Sequence, residues 1–264
     1  MQRGMAAPFQ AFRMALMLTV GLAAGALASH APAARAAPVS LREAFLAARG
    51  GSDGRARPSP IIGRYQSDDG GFFVLDRGGP KPLLKFDDSP EIWVLAPGAG
   101  PRGDTIYRND LGEPMVRTTK LGGMTIFTDK RPDGSAAAFE ASSSPLRIQP
   151  LSPVALYNRF YQASVRATRA AQHQVGFETR DDAEPTTAAL FADAAMVASQ
   201  ALVSIAARPE GKQVLSRVAD VMIAQGPRPG AVLQRGVLTV TIDPSEGVAG
   251  RPSSRRIERA AGAH

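Results

Sequence analysis

Side-by-side carboxylates are the first chemistry this sequence offers. Asp68-Asp69, Asp87-Asp88 and Asp181-Asp182 each set two acids next to one another. Carboxyls sharing a cleft have their pKa values pushed apart, which is what a general acid and a general base need. Asp87, Asp88 and Asp104 are therefore the candidates for acid–base hydrolysis of an envelope polymer, provided two of them approach within about 5 to 9.5 Å. The same oxygens are Ca²⁺ ligands in principle, but none follows an EF-hand spacing. All lie among Gly, Ser and Pro, where Asp bonds back to its own main chain, so turn formation is the competing account.

Two glycine motifs fail on context. Gly98, Gly100 and Gly103 fit G-x-G-x-x-G after an expected strand, but a second strand follows where the dinucleotide fingerprint requires a helix. With Pro97 and Pro101 in it, the segment is expected to be a stiff hairpin loop. Gly50, Ser52 and Gly54 fit the nucleophile elbow, yet sit in a linker without the strand-to-helix turn that exposes a serine. Cysteine is absent and His173 is the one histidine between the leader and His264. Zinc, copper and iron sites thus lack ligands, and no metal or other cofactor is expected. His173 itself is expected on a solvated helix face. Trp93, Tyr65 and Tyr107 are the candidate ligand-binding residues, because strand aromatics of one face could line a barrel cavity; core packing is the alternative.

The formal charge of +7 comes from 31 basic and 24 acidic residues, and its distribution weakens any nucleic-acid reading. Part of the excess is Arg3, Arg13 and Arg35 in the first 36 residues, which hold no acid. More of it is Arg251, Arg255, Arg256 and Arg259 near the C-terminus, without the aromatic interleaving of a nucleic-acid surface. Arg3 and Arg13 precede an uncharged, Ala-rich run and two A-x-A sites, the layout of a secretory signal peptide. Cleavage is expected after Ala36; a cut after Ala37 would place Pro38 beside the scissile bond. The expected location is periplasmic or secreted, and the lack of cysteine leaves no lipobox for a lipoprotein.

The elements that must position these groups follow from periodicity. A capping box at Ser40 and Glu43 opens a short helix, and a Gly/Pro/Arg linker runs to residue 60. Between 61 and 150, short apolar or alternating runs recur at roughly ten-residue intervals between turn signals, a β-meander of about eight strands. They are expected at 61–66, 72–76, 82–86, 91–96, 104–108, 114–119, 124–128 and 135–140, curling toward a barrel. From Ser152 the period turns helical. Helices are expected at 152–175, at 186–207 (apolar almost all round, Asp193 its only charge, hence the buried central helix) and at 209–226. A strand at 237–242 is expected to return to the sheet. The chain is therefore read as α+β: leader 1–36, helix and linker 37–60, antiparallel meander 61–150, an Ala-rich three-helix layer with a final strand 151–243, and a basic, mobile tail 244–264. No transmembrane helix is expected once the leader is removed.

Several segments resemble a family of predicted exported alphaproteobacterial proteins built on a domain of unknown function. They are Ile62-Gly63-Arg64-Tyr65, Phe73-Val74-Leu75-Asp76, Leu84-Lys85-Phe86-Asp87-Asp88-Ser89-Pro90-Glu91, Asn109-Asp110 with Gly112-Glu113-Pro114, and Gly250-Arg251-Pro252-Ser253-Ser254. The resemblance implies export and transfers no activity or ligand. Gly63-x-Tyr65 opening a meander is also similar to lipocalin-like barrels. With no nucleophile–base pair in view, the leading expectation is a non-enzymatic envelope protein that binds a partner or small ligand. The alternatives are the carboxylate-dependent hydrolase and a lipocalin-like carrier of an apolar molecule.

Overall fold

In the computed structural model, residues 61–181 and 183–263 are described, and all fall in one compact unit. The expected leader with Ala36 and Ala37, the helix after Ser40 and the linker lie outside them, as does Asp182.

Alternation sets the direction of the first strand, β1 (Ile62–Ser67), which turns Gly63, Tyr65 and Ser67 inward. There follow β2 (Phe72–Asp76), β3 (Leu83–Phe86), β4 (Ile92–Val94), β5 (Ala96–Ala99), β6 (Thr105–Arg108), β7 (Pro114–Thr118), β8 (Met124–Thr128) and β9 (Arg131–Ser142). These form one antiparallel sheet in the order β4-β3-β2-β1-β9-β8-β7-β6-β5. Its two edges, β4 and β5, are separated in the chain by Leu95 alone. One bent segment therefore pairs with β3 through its first half and with β6 through its second, and the sheet wraps nearly into a barrel. Tyr65, Phe73, Leu75, Leu84, Leu95, Tyr107 and Ile126 pack its interior as one cluster. Residues 100–104 connect β5 to β6; Gly98 and Ala99, expected in the hairpin loop, are the last residues of β5 and pair with Ile106 and Thr105.

Up-and-down order sorts the turns into two ends. Those at 68–71, 87–91, 109–113 and 129–130 gather at the mouth; those at 77–82, 100–104 and 119–123 gather at the base. After β9, Asp76 Oδ2 accepts the Leu146 amide at 2.9 Å and guides the chain away.

Ser152 then caps α1 (Pro153–Ala171), its Oγ accepting from the Ala155 amide at 3.2 Å with Pro153 in the first turn. Next come β10 (Gly176–Thr179), α2 (Ala188–Ala206), α3 (Gly211–Leu215), β11 (Asp220–Gln225), β12 (Gly230–Gln234), β13 (Val237–Ile242), a 3₁₀ segment (Pro244–Gly250) and α4 (Ser254–Ala261). The strands make a second sheet in the order β10-β11-β13-β12, parallel except between β12 and β13. By length and composition α2 could cross a membrane, but thirteen of its nineteen residues are buried among α1, α4 and this sheet.

The α+β meander is as read; β5, β10 and β12 are strands beyond those expected, and three expected elements differ. The helix expected at 209–226 stops at Leu215, and Val221, Ile223 and Ala224 belong to β11. A strand between two parallel neighbours is buried on both faces, so its apolar run carries no period of two and passes for a helical stripe. The strand expected at 237–242 exists, but in the second sheet beside β11. Residues 244–264 were expected as a mobile basic tail; of these, 244–263 form a 3₁₀ turn and a helix with Arg251, Ser253, Ser254, Ile257 and Glu258 buried, because the arginines there meet carboxylates.

Candidate functional site at the barrel mouth

The mouth turns carry the acids of this end, and their local hydrogen bonds set where each one sits. In the turn after β6, Asn109 Oδ1 accepts from the amides of Leu111 and Glu113, both at 3.0 Å, and Gly112 takes φ +82°, a conformation that favours glycine. This sets Asp110 and Glu113 on the rim. In the turn after β3, Ser89 Oγ accepts from the Glu91 amide at 3.2 Å and points Glu91 inward, where it is 1% exposed.

Arg251 and α4 come down on these acids. The main chain from Asp243 to Gly250 is closed by the Asp243 amide donating to Gly250 O at 2.7 Å; a Cβ on Gly250 would lie 1.8 Å from Asp243 O, so glycine is required there. The loop delivers the Arg251 guanidinium into the protein. It donates to Asp193 of α2, lies 3.6 Å from Glu91 Oε1, and donates to Ile92 O of the edge strand β4 at 2.8 Å. Glu91 also accepts from the amide and hydroxyl of Ser254 at 2.9 and 2.6 Å. Beside it, Ser253 caps α4 and donates its hydroxyl to Asp110 at 2.6 Å, while Arg256 Nε reaches Asp110 at 2.9 Å. Arg255 pairs with Asp129 and Glu113, and Arg208 with Glu258. Burial pushes the carboxyls of Glu91 and Glu258 up, against the opposing pull of Arg251 and Arg208 respectively.

Between the turns and this roof lies a cleft of about 1110 Å³, at the upper end for small-molecule sites. Its floor is Phe72, Phe73, Phe86, Trp93, Met115 and Ile126; Gln200 and Ser204 of α2 and Ser254, Arg255 and Glu258 reach it from above. Seven carboxylates and three cations line it, an acidic surface on a basic protein. Most of the acids are spoken for by the ion pairs above. Asp88 has no ion pair among the described residues, and Asp69 accepts the Gly71 amide at 3.1 Å, which holds its carboxyl below the usual range.

The structure divides the residues singled out in the sequence. Asp87 and Asp88 line the cleft, Asp87 paired with Arg64 at 2.6 Å. Asp104 is at the base, about 13 Å away along β6, and is held by Arg117 Nε at 2.7 Å. The acid–base partnership of Asp104 with Asp87 or Asp88 is therefore not assembled. Trp93 lines the cleft, whereas Tyr65 stacks on Phe73 with centroids 5.5 Å apart and Tyr107 lies in the interior cluster. His173 is not on a solvated face: its ring nitrogens lie 3.0 and 2.9 Å from the carbonyl oxygens of Ala171 and Val218, fastening the end of α1 to the approach to β11. Among the described residues no three His, Cys, Asp or Glu side chains are grouped to hold a metal ion.

Glu91, Asp110, Asp193, Arg251, Ser253 and Ser254 are the site residues that reading the sequence missed. Two signals pointed to them. A lone acid inside an apolar helix needs a buried cation, and four arginines after residue 250 match the surplus of acids in the turns.

Fold and site define an α+β protein in which a nearly closed antiparallel barrel is roofed at its mouth by an α/β layer through buried ion pairs. The chain belongs to the family described as Domain of unknown function (DUF4908), whose model matches residues 40–261 and so takes in every mouth turn and α4. No curated protein and no solved structure matches the chain.

Proposed function

We propose that this is an exported binding protein whose barrel mouth takes a small amphipathic molecule with an apolar body and a positively charged group. Export rests on the leader-like residues 1–36. The binding reading is carried by one observation, the roofed cleft with an aromatic floor and a carboxylate rim. The floor offers contact to an apolar body. Asp69 and Asp88 are the carboxylates left to answer a cation. The packed interior below the cleft limits the ligand to the mouth, unlike a carrier that swallows its cargo along the barrel axis.

Trp93 is the only tryptophan in the chain, so its emission reports on the cleft alone. Titration with decyltrimethylammonium below its micellar concentration should change that emission saturably, with decyl sulfate giving no comparable change. Asp88→Asn combined with Asp69→Asn should weaken the response at least about tenfold, the loss of two charge contacts in a partly screened site. Equal responses to both amphiphiles, or none to either, would overturn the reading.

A further inference from the structure

We propose that the outward face of α1 is a docking surface for an anionic lipid bilayer. α1 carries two apolar stripes. One buries Phe160, Ala163 and Ala167 in the core and accounts for the packing of the helix. The other is Val154, Tyr157, Tyr161 and Val165, spaced three, four and four residues apart and so stacked along one side. Val154 and Tyr157 are each 71% exposed and Tyr161 63%; none of the described residues covers them. Beside this stripe lies an apolar groove of about 450 Å³ formed by Tyr161, Val165 and Met196, with Arg166 at its edge.

Charge selects the occupant. The helix has three charged residues, Arg159, Arg166 and Arg169, and no acid. At 100° per residue Arg169 falls at the edge of the exposed stripe beside Val165, while Arg159 and Arg166 lie further round, nearer the buried stripe, with Arg166 donating to Gln200 of α2 at 2.6 Å. A second copy of this face would bring guanidiniums without carboxylates to answer them, whereas an anionic headgroup layer supplies the missing charge. Tyrosines beside arginines are also the composition that settles at the headgroup level, ring in the acyl boundary and hydroxyl in water. The helix would lie in the interface rather than cross it, since Phe160, Ala163 and Ala167 remain committed to the core.

The test is co-sedimentation of the full chain with vesicles made of equal parts phosphatidylglycerol and phosphatidylcholine, against vesicles of phosphatidylcholine alone. Binding to the mixed vesicles is expected, weakening as salt rises. The N-terminal segment is common to every variant, so differences between variants report on α1. Tyr157→Ser with Tyr161→Ser should lower the partition coefficient at least about tenfold, and Arg169→Gln on the order of fivefold. Far-UV circular dichroism checks that these surface changes leave the fold intact; if the double tyrosine variant unfolds, Arg169→Gln, at an exposed position, decides. Partitioning that is the same in all variants, or equal for both vesicle types, overturns the proposal. So does a concentration-dependent dimer in sedimentation velocity that the tyrosine substitutions abolish, because the face would then serve a second copy.

Discussion

Gly63 is the residue on which the start of the barrel turns. Its missing side chain is where the Tyr65 ring lies: a Cβ at position 63 would come within 2.8 Å of Tyr65 Cε2. Gly63→Ala should therefore destabilise the protein by about 1–3 kcal/mol, the usual penalty for overpacking, measured by urea denaturation. Replacing Tyr65 with Leu in the same chain should return part of that loss, since the two changes share one space. Glu91 makes a second prediction, with a sign. Burial raises its folded pKa above the ordinary 4.5. Between 4.5 and that raised value the folded chain keeps a proton that the unfolded chain has released, so this group's contribution grows as pH falls through the window and is lost as pH rises out of it. Stability of the wild type minus that of Glu91→Gln should thus increase as pH is lowered from neutral toward 4.5. A flat difference would mean that the carboxyl titrates alike in both states.

At the scale of elements, local signals and tertiary burial part company. The eight expected strands of the meander coincide with β1 to β4 and β6 to β9 because Gly, Asp and Pro mark nearly every turn; β5, Ala96–Ala99, lies where the Gly/Pro run reads as a loop. The sequence 176–179 gave no alternation, and β10 went unread: only four residues long, it depends on β11 for its place. β11 was mistaken for helix because both its faces are covered. α4 was missed for a different reason. Its arginines read as solvated until the acids they meet, Asp110, Glu113 and Asp129, are folded beneath them. Ser253 does two jobs there, capping α4 and binding Asp110. Ser253→Ala should cost about 1–2 kcal/mol, in the range for a lost cap. Native-state hydrogen exchange should show faster exchange of the α4 amides ahead of those of β1 and β9.

For the molecule as a whole, Arg251 is the side chain that joins barrel and layer. It touches Glu91 and Ile92 on one side and Asp193 on the other, itself 5% exposed. Arg251→Ala would leave two carboxylates facing an apolar interior, a loss of about 3–5 kcal/mol by the usual cost of breaking a buried pair. Trp93 emission should shift to the red at denaturant concentrations where the wild type is unchanged, as the roof lifts from the cleft. This joint was the least legible part of the sequence. Its members are spread from residue 91 to residue 254, and each taken alone is an ordinary surface residue type.

That spread also has a temporal meaning. Glu91, Asp110, Glu113, Asp129 and Asp193 all precede the arginines that satisfy them. A ribosome or a translocation channel delivers the acids first and their counterions later. Until residue 251 emerges, the nascent barrel has an open top and α2 carries an unanswered charge. Emergence of residues 251–259 and closure of the mouth are then one event, and a polypeptide stopped after Gly250 would expose the phenylalanines and Trp93 of the cleft floor as a surface that chaperones and proteases recognise.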